Sequence, residues 1–290
     1  MNLSDAKAIR DRLSGRDIPS DEDFFYYTEA MEYLIEKDPN PHYMLELGAQ
    51  YRYRKYFDLE LKYYEMAASY GDETAMCGLG NFWYYGRNGI PDYKTAYEYY
   101  SSIPNDVWAR CKIADMYKNG YYVSKNYQMY KDIIEELYKK VKDCTKIYDP
   151  IADVFSRLAE IRASSGQISE AIDLYTKAKD IWAKWIPNEP CWENIAFMHD
   201  IVDALYKLKK PDPRNFDIYD LFELMKKPVK VRFKYEHMNF TIEAKEEPEG
   251  IAIFFERKWY RTIDDFFKKA EICGDRLVSI ALGLYDFEVI

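Results

Sequence analysis

The side chains able to do chemistry in this sequence are scattered rather than grouped. Three histidines, His42, His199 and His237, fall in different predicted elements. His199 and His237 each adjoin an acid, Asp200 and Glu236. Residues adjacent in sequence do not face one another on a helix or a strand, so neither pair reads as a proton relay. Five cysteines, Cys77, Cys111, Cys144, Cys191 and Cys273, are odd in number and widely spaced. Zinc sites and disulfide frameworks use close, paired spacings, so buried free thiols are expected. No HExxH, CxxC, phosphate-loop or GxSxG signature occurs. Catalysis needs a convergent constellation, and without one no catalytic residue, metal or cofactor is expected.

The remaining charged groups have structural readings. Asp21-Glu22-Asp23 and Asp264-Asp265 each open a predicted helix. Acids there favour the helix dipole by about 0.3–1 kcal/mol each. Gly86-Arg87-Asn88-Gly89 lacks the lysine and the strand-turn-helix setting of a phosphate loop and reads as a link between helices. Lys230, Arg232 and Lys234 share one face of a predicted strand. Three cations are few beside the roughly 6–10 phosphate contacts of a nucleic-acid binder. Glu243 and Lys245 on the next strand compete for that face through cross-strand ion pairing. Net charge is −9 with a pI near 5.1, so a nucleic-acid partner is not expected. No apolar run approaches the roughly 20 residues of a membrane span. The charged N-terminus MNLSDAKAIRDRL has no secretory apolar stretch, and a cytoplasmic protein is expected.

The elements that position these residues repeat. Leu47-Gly48 is followed by Tyr51, Leu79-Gly80 by Trp83 and Gly86, Ile113-Ala114 by Tyr117 and Gly120, and Leu158-Ala159 by Gly166. The steps are 32, 34 and 45 residues, the last fitting an insertion around Val141–Pro150. Each unit reads as two helices. In the second, helix A runs from about Glu73 to Tyr85 and helix B from about Tyr93 to Ser102. Tyr93, Ala96 and Tyr100 form an amphipathic stripe. The small residue of each pair admits a close neighbour, while Gly86 and Pro91 end and separate the helices.

These residues carry a family resemblance. From about Pro41 to Asn126 the chain resembles the Sel1-like repeat, a branch of the tetratricopeptide helical-hairpin family. The second unit supplies Leu79, Gly80, Gly86, Gly89, Ile90, Asp92, Tyr93, Ala96, Tyr99 and Tyr100. It departs by one residue added before Gly89 and one missing before Asp92. In the third unit Asn126 stands where Asp is usual and Tyr130 where alanine is usual. Arg157–Ala178 is similar to a plain tetratricopeptide repeat through Leu158, Ala159, Gly166, Ala171, Tyr175 and Ala178. The resemblance implies a mainly α right-handed superhelical solenoid with a concave face lined by helices A. It selects Arg52 and Tyr53, then Asn81, Tyr84 and Tyr85, then Asp115 and Lys118, with Glu160 as the fourth counterpart.

Flanking helices are expected at Ser20–Leu34, Trp192–Leu208 and Asp217–Met225, placing the repeat region at 1–225. The period then changes to two. Val229, Val231, Phe233 and Tyr235 alternate with the cations, Phe240, Ile242 and Ala244 continue, and Ile251–Phe255 follows a turn. Thr262 caps a helix, Gly274 breaks it, Leu277, Ile280, Ala281 and Leu284 are helically spaced, and Tyr285–Ile290 returns as a strand. Residues 226–290 are therefore expected to form a small α+β domain, a three-stranded antiparallel meander plus helices, of no recognised family. The function expected is binding of a protein or peptide on the concave face, as a scaffold. The alternative is a solenoid whose C-terminal domain carries the activity, by nucleic-acid binding or enzyme inhibition. The oligomeric state is left open.

Overall fold

Asparagine, serine and aspartate recur immediately before helices, each accepting a bond from a first-turn amide. The computed structural model describes residues 1–14, 18, 20–144, 149–188, 192–210 and 216–290. Its contacts divide the chain into two units, Met1–Ile133 and Ile134–Ile290. The first unit holds α1 (Leu3–Leu13), α2 (Asp21–Lys37), α3 (Pro41–Tyr53), α4 (Phe57–Ser69), α5 (Glu73–Tyr84), α6 (Tyr93–Ser102), α7 (Val107–Asn119) and the start of α8 (Tyr127–Val141). Ser20, Asn40, Asp72, Asp92 and Asp106 cap α2, α3, α5, α6 and α7 with their side-chain oxygens. Each such cap stabilises its helix by about 1 kcal/mol.

Helices α1 and α2, α3 and α4, and α5 and α6 pair as hairpins, and α4 packs on α5. The small residues predicted to let helices approach do so by receiving a ring. A Cβ on Gly48 would lie 2.5 Å from Tyr64, one on Gly78 2.6 Å from the opposite edge of that ring, and one on Gly80 2.4 Å from Tyr100. Tyr64 of α4 is thus clasped between α3 and α5. Gly86 has φ +60, and a Cβ there would meet the Pro91 nitrogen at 2.4 Å, so the link between α5 and α6 requires glycine.

The second unit continues α8 and adds α9 (Asp149–Ser164), α10 (Ile168–Trp185) and α11 (Trp192–Leu208). Helices α9 and α10 form a hairpin, and α11 packs on α10. A 3-10 turn at Ile218–Asp220 leads into the short α12 (Leu221–Leu224). Buried Lys179 of α10 places its Nζ 2.6 Å from Asp220 and 3.0 Å from Asp217, and Tyr206 of α11 donates to Asp220 at 2.5 Å. Burial opposes the charge on Lys179, but the two carboxylates outweigh it and raise its pKa. That cluster ties the turn to two helices.

Strands β1 (Val229–Tyr235), β2 (Met238–Glu247), β3 (Gly250–Phe255) and β4 (Lys258–Tyr260) form a meander; α13 (Ile263–Lys269), β5 (Glu271–Ile272), β6 (Asp275–Arg276) and β7 (Tyr285–Val289) follow. The main sheet is antiparallel in the order β4-β3-β2-β1-β7. It therefore exceeds the three-stranded meander expected. Strand β4 is too short for period two to register, and β7 joins through long-range pairing with β1. The helical spacing of Leu277–Leu284 yields only a 3-10 turn at Ala281–Gly283, with Leu277 and Val278 buried. The β1–β2 and β3–β4 turns, Glu236-His237 and Glu256-Arg257, hold positive φ at both residues without glycine. In β7, Asp286 has φ 53 where the register against β1 shifts, a β-bulge. The sheet's inner face buries Val231, Phe233, Ile242, Phe255 and Ala244 with Phe266 and Phe267 of α13.

The thiols correct one expectation. Cys111 is buried and Cys77 half-buried, but Cys144 and Cys273 are exposed. Cys273 occupies the positive-φ turn between β5 and β6, which keeps its side chain off the core. Cys191 lies outside the described residues.

Candidate functional site: the face of α3, α5 and α7

Seven of the eight residues selected for partner contact lie on α3, α5 and α7 or just past the end of α5. Glu160 lies on α9 in the second unit, where its charge acts on Tyr175. Arg52 and Tyr53 end α3, with the Arg52 guanidinium 5.8 Å from the Tyr53 ring centre. Beside them α4 carries Glu60, which is fully buried and ion-paired to Arg87 of the α5–α6 link. Burial pushes the Glu60 carboxyl up from its ordinary value, while Arg87 and Arg52 oppose that. Among the described residues, its Oε2 has no hydrogen-bond partner. Burial likewise lowers Arg87, against the pull of Glu60. The link segment thus places a working cation.

Asn81 is held from two sides. Its Oδ1 accepts from the Tyr100 hydroxyl at 2.9 Å and from the Trp108 indole Nε1 at 3.1 Å. Indole can only donate, so the atom facing Trp108 is the oxygen and the amide's NH2 is the remaining end. Tyr84 is half-buried among Tyr85, Tyr93, Tyr100 and Tyr121, with ring centres 5.1–6.3 Å away. Burial pushes its hydroxyl pKa up, and Asp115 adds to this. Tyr93 and Tyr121 stack at 4.3 Å across the ends of successive hairpins. Lys112 of α7, buried, donates to the Tyr85 hydroxyl at 2.7 Å. Its Nζ lies 4.7–5.3 Å from the ring centres of Trp108, Tyr85 and Tyr84. Lys118 sits 5.4 Å from the ring of Tyr130.

Two groups therefore form: Arg52 and Tyr53 with Glu60 and Arg87, and Asn81, Tyr84 and Tyr85 with Lys112, Trp108 and Asp115. Tyr53 and Tyr85 stand at equivalent places, five residues after Gly48 and Gly80, and remain 38% and 49% exposed. Sequence reading missed Glu60, Lys112 and Trp108. Glu60 had a signal, since it shares a helical stripe with Tyr64 and Ala67. Lys112 and Trp108 had none, because their partners lie a whole hairpin away.

On the sheet, two of the three cations of β1 are ion-paired. Lys234 Nζ lies 2.8 Å from Asp286, and Arg232 lies 3.6 Å from Glu288, both on β7. Donating a hydrogen bond to the Asp286 carboxylate raises the pKa of Lys234. Lys230 stands opposite Glu243, which itself pairs with Lys245 at 3.2 Å. His199 of α11 stacks on Phe222 at 4.3 Å and places Nδ1 3.1 Å from Asp264, so the acid it pairs with comes from α13. His42 adjoins Glu46 at 3.2 Å, and His237 lies in a turn. Among the described residues no three His, Cys, Asp or Glu side chains converge on a metal site, and no helix is long and apolar enough to cross a membrane.

No protein-family model and no curated protein matches the chain. Solved structures similar to it include these two. One is a Sel1 repeat protein from Oxalobacter formigenes, at 16% identity and TM-score 0.47, covering 73% of this chain and 79% of that one. The other is c5321, a protective antigen of uropathogenic Escherichia coli strains displaying an SLR fold. It is 15% identical with TM-score 0.39, and covers 73% of this chain and 57% of that one.

Proposed function

We propose that this chain is a non-enzymatic interaction protein that binds an extended peptide or protein segment on the face of α3, α5 and α7. One observation carries the reading: the orientation of Asn81. Two donors occupy its carbonyl, so the amide presents only N–H donors, which suit the carbonyl groups of an extended peptide. Tyr53 and Tyr85 supply half-exposed rings on successive hairpins for the peptide's side chains. Arg52, Asp115 and Lys118 would set its charge preference. Glu160 belongs to this face only if the repeats of both units line one groove. The same reading takes 1–225 as the repeat region, 226–290 as the α+β domain, and the cytoplasm as the compartment. A nucleic-acid role for the C-terminal domain is not favoured, because β7 pairs two of the three cations it would use.

Peptide-display selection on the purified chain tests this, followed by calorimetry on Asn81→Asp. That variant keeps an oxygen for Tyr100 and Trp108 but loses the donor. Loss of peptide affinity by tenfold or more with an unchanged melting temperature is expected. Equal affinity, or no enriched peptide, would remove the reading.

A further inference from the structure

On the outer face of the sheet most of the charges of β1 and β2 are paired. Arg232 pairs with Glu288, Lys234 with Asp286, and Lys245 with Glu243. One patch departs from that pattern. Strand register places Glu243, Lys245 and Glu247 of β2 on this face, opposite Phe254, Ala252 and Gly250 of β3, while Ile242, Ala244 and Ile253 point into the core. Trp259 of β4, across from Phe254, also faces out. Gly250 and Ala252 carry almost no side chain, so the face sinks between Trp259 on one side and the β2–β3 turn on the other. A cleft of about 350 Å³ lies there, bordered by Trp259, Arg261, Glu247 and Glu249.

Three features of the cleft point to its ligand. Trp259 is 50% exposed although it is the largest apolar side chain of the domain. Among the described residues, Glu247, Glu249 and Arg261 make no ion pair, whereas Arg232, Lys234, Glu243 and Lys245 on the same face do. The same indole already attracts a cation of its own chain: Lys245 Nζ lies 5.6 Å from the Trp259 ring centre and 6.0 Å from that of Phe254. An aromatic plane beside two unneutralised carboxylates complements a positive charge, and a glycine-alanine floor admits a flat or unbranched side chain. Arg261 gives the cleft polarity, since a cation is held at the turn end and a carbonyl or carboxylate at the other.

We propose that this cleft binds an arginine or lysine side chain of an extended peptide, stacked on Trp259 with its head group between Glu247 and Glu249. The site is independent of the helical face of the first unit. Calorimetry of the full chain with the capped peptide Ac-Thr-Val-Arg-Val-Thr-amide tests it, beside the same peptide carrying glutamine or glutamate in place of arginine. Saturable binding of the arginine peptide is expected, at least tenfold weaker for glutamine and absent for glutamate. The double variant Glu247→Gln, Glu249→Gln should weaken binding at least tenfold, and Trp259→Ala should do the same. All three positions are solvent-facing, and an unchanged circular dichroism spectrum confirms the fold. Equal binding of the glutamine peptide, wild-type affinity in either variant, or no heat with arginine peptide at millimolar concentration would overturn the proposal. So would Trp259-dependent binding of a neutral oligosaccharide in preference to the arginine peptide.

Discussion

The seam between α5 and α7 and the core beneath β1–β3 are both aromatic, yet they use different rings. The seam is built from Tyr84, Tyr85, Tyr93, Tyr100, Tyr121 and Trp108. The sheet core is built from Phe233, Phe240, Phe255, Phe266 and Phe267, stacked, tilted or edge-on at 5.4–6.3 Å. A seam between hairpins is open along its length, so each ring needs an apolar body and a polar tip with somewhere to go. Tyr100 finds Asn81, and Tyr85 finds Lys112. Beneath the sheet the rings pack on α13, with Tyr260 the one buried tyrosine of the strands, and a hydroxyl added at fully buried Phe233 would be stranded.

That contrast breaks most directly by deleting a core ring. Phe233→Ala should cost about 3–5 kcal/mol, read from urea unfolding and from faster amide exchange in β1–β3. Exchanging ring types sharpens it. Phe233→Tyr should cost about 2 kcal/mol in the same measurement, because its hydroxyl would be buried without a partner. In the seam, Gly80→Ala should cost about 1–2 kcal/mol, since its Cβ meets the Tyr100 ring, and Tyr100→Leu should relieve part of that. Tyr100→Phe should cost only about 1 kcal/mol, because Asn81 keeps Trp108 as a donor.

The smallest effect belongs to neither layer. Hydrogen bonds from Lys207 and Lys226 hold the Asp203 carboxyl down, to about 2 from its ordinary 3.8. A depressed carboxyl contributes stability above its unfolded pKa, and that contribution is lost as pH falls from about 4 towards 2. The group is largely solvated and screened, so Asp203→Asn should remove under about 1 kcal/mol at neutral pH. It should also flatten the acid limb of the stability curve between pH 4 and 2, as measured by thermal unfolding across pH.

Legibility followed the range of the interaction. Helix α5 was bounded within a residue and α6 at both ends, since caps, stripes and Gly86 are local signals. Thr262 was read as a cap for the same reason. The ring that fills each glycine notch was not legible, because Tyr64 and Tyr100 belong to the next helix. Strand β7 is legible as a strand, but its pairing and ion pairs with β1 are hidden by a sequence separation of about fifty residues. At the candidate site, Asn81 was found through the repeat, but what orients it was not. The paired acids Asp264-Asp265 read as dipole partners, whereas Asp264 also meets His199 from α11.

The bulge at Asp286 has a consequence for behaviour at high concentration. An open antiparallel sheet has two rims where unpaired amides and carbonyls can recruit a foreign strand. On one rim the outermost strand is only Lys258–Tyr260. On the other, β7 is kinked at Asp286 and carries that acid together with Glu288. The kink interrupts the straight ladder that adding a second copy requires. Both rims are therefore poor templates for polymerisation, and the fold resists aggregation through its sheet.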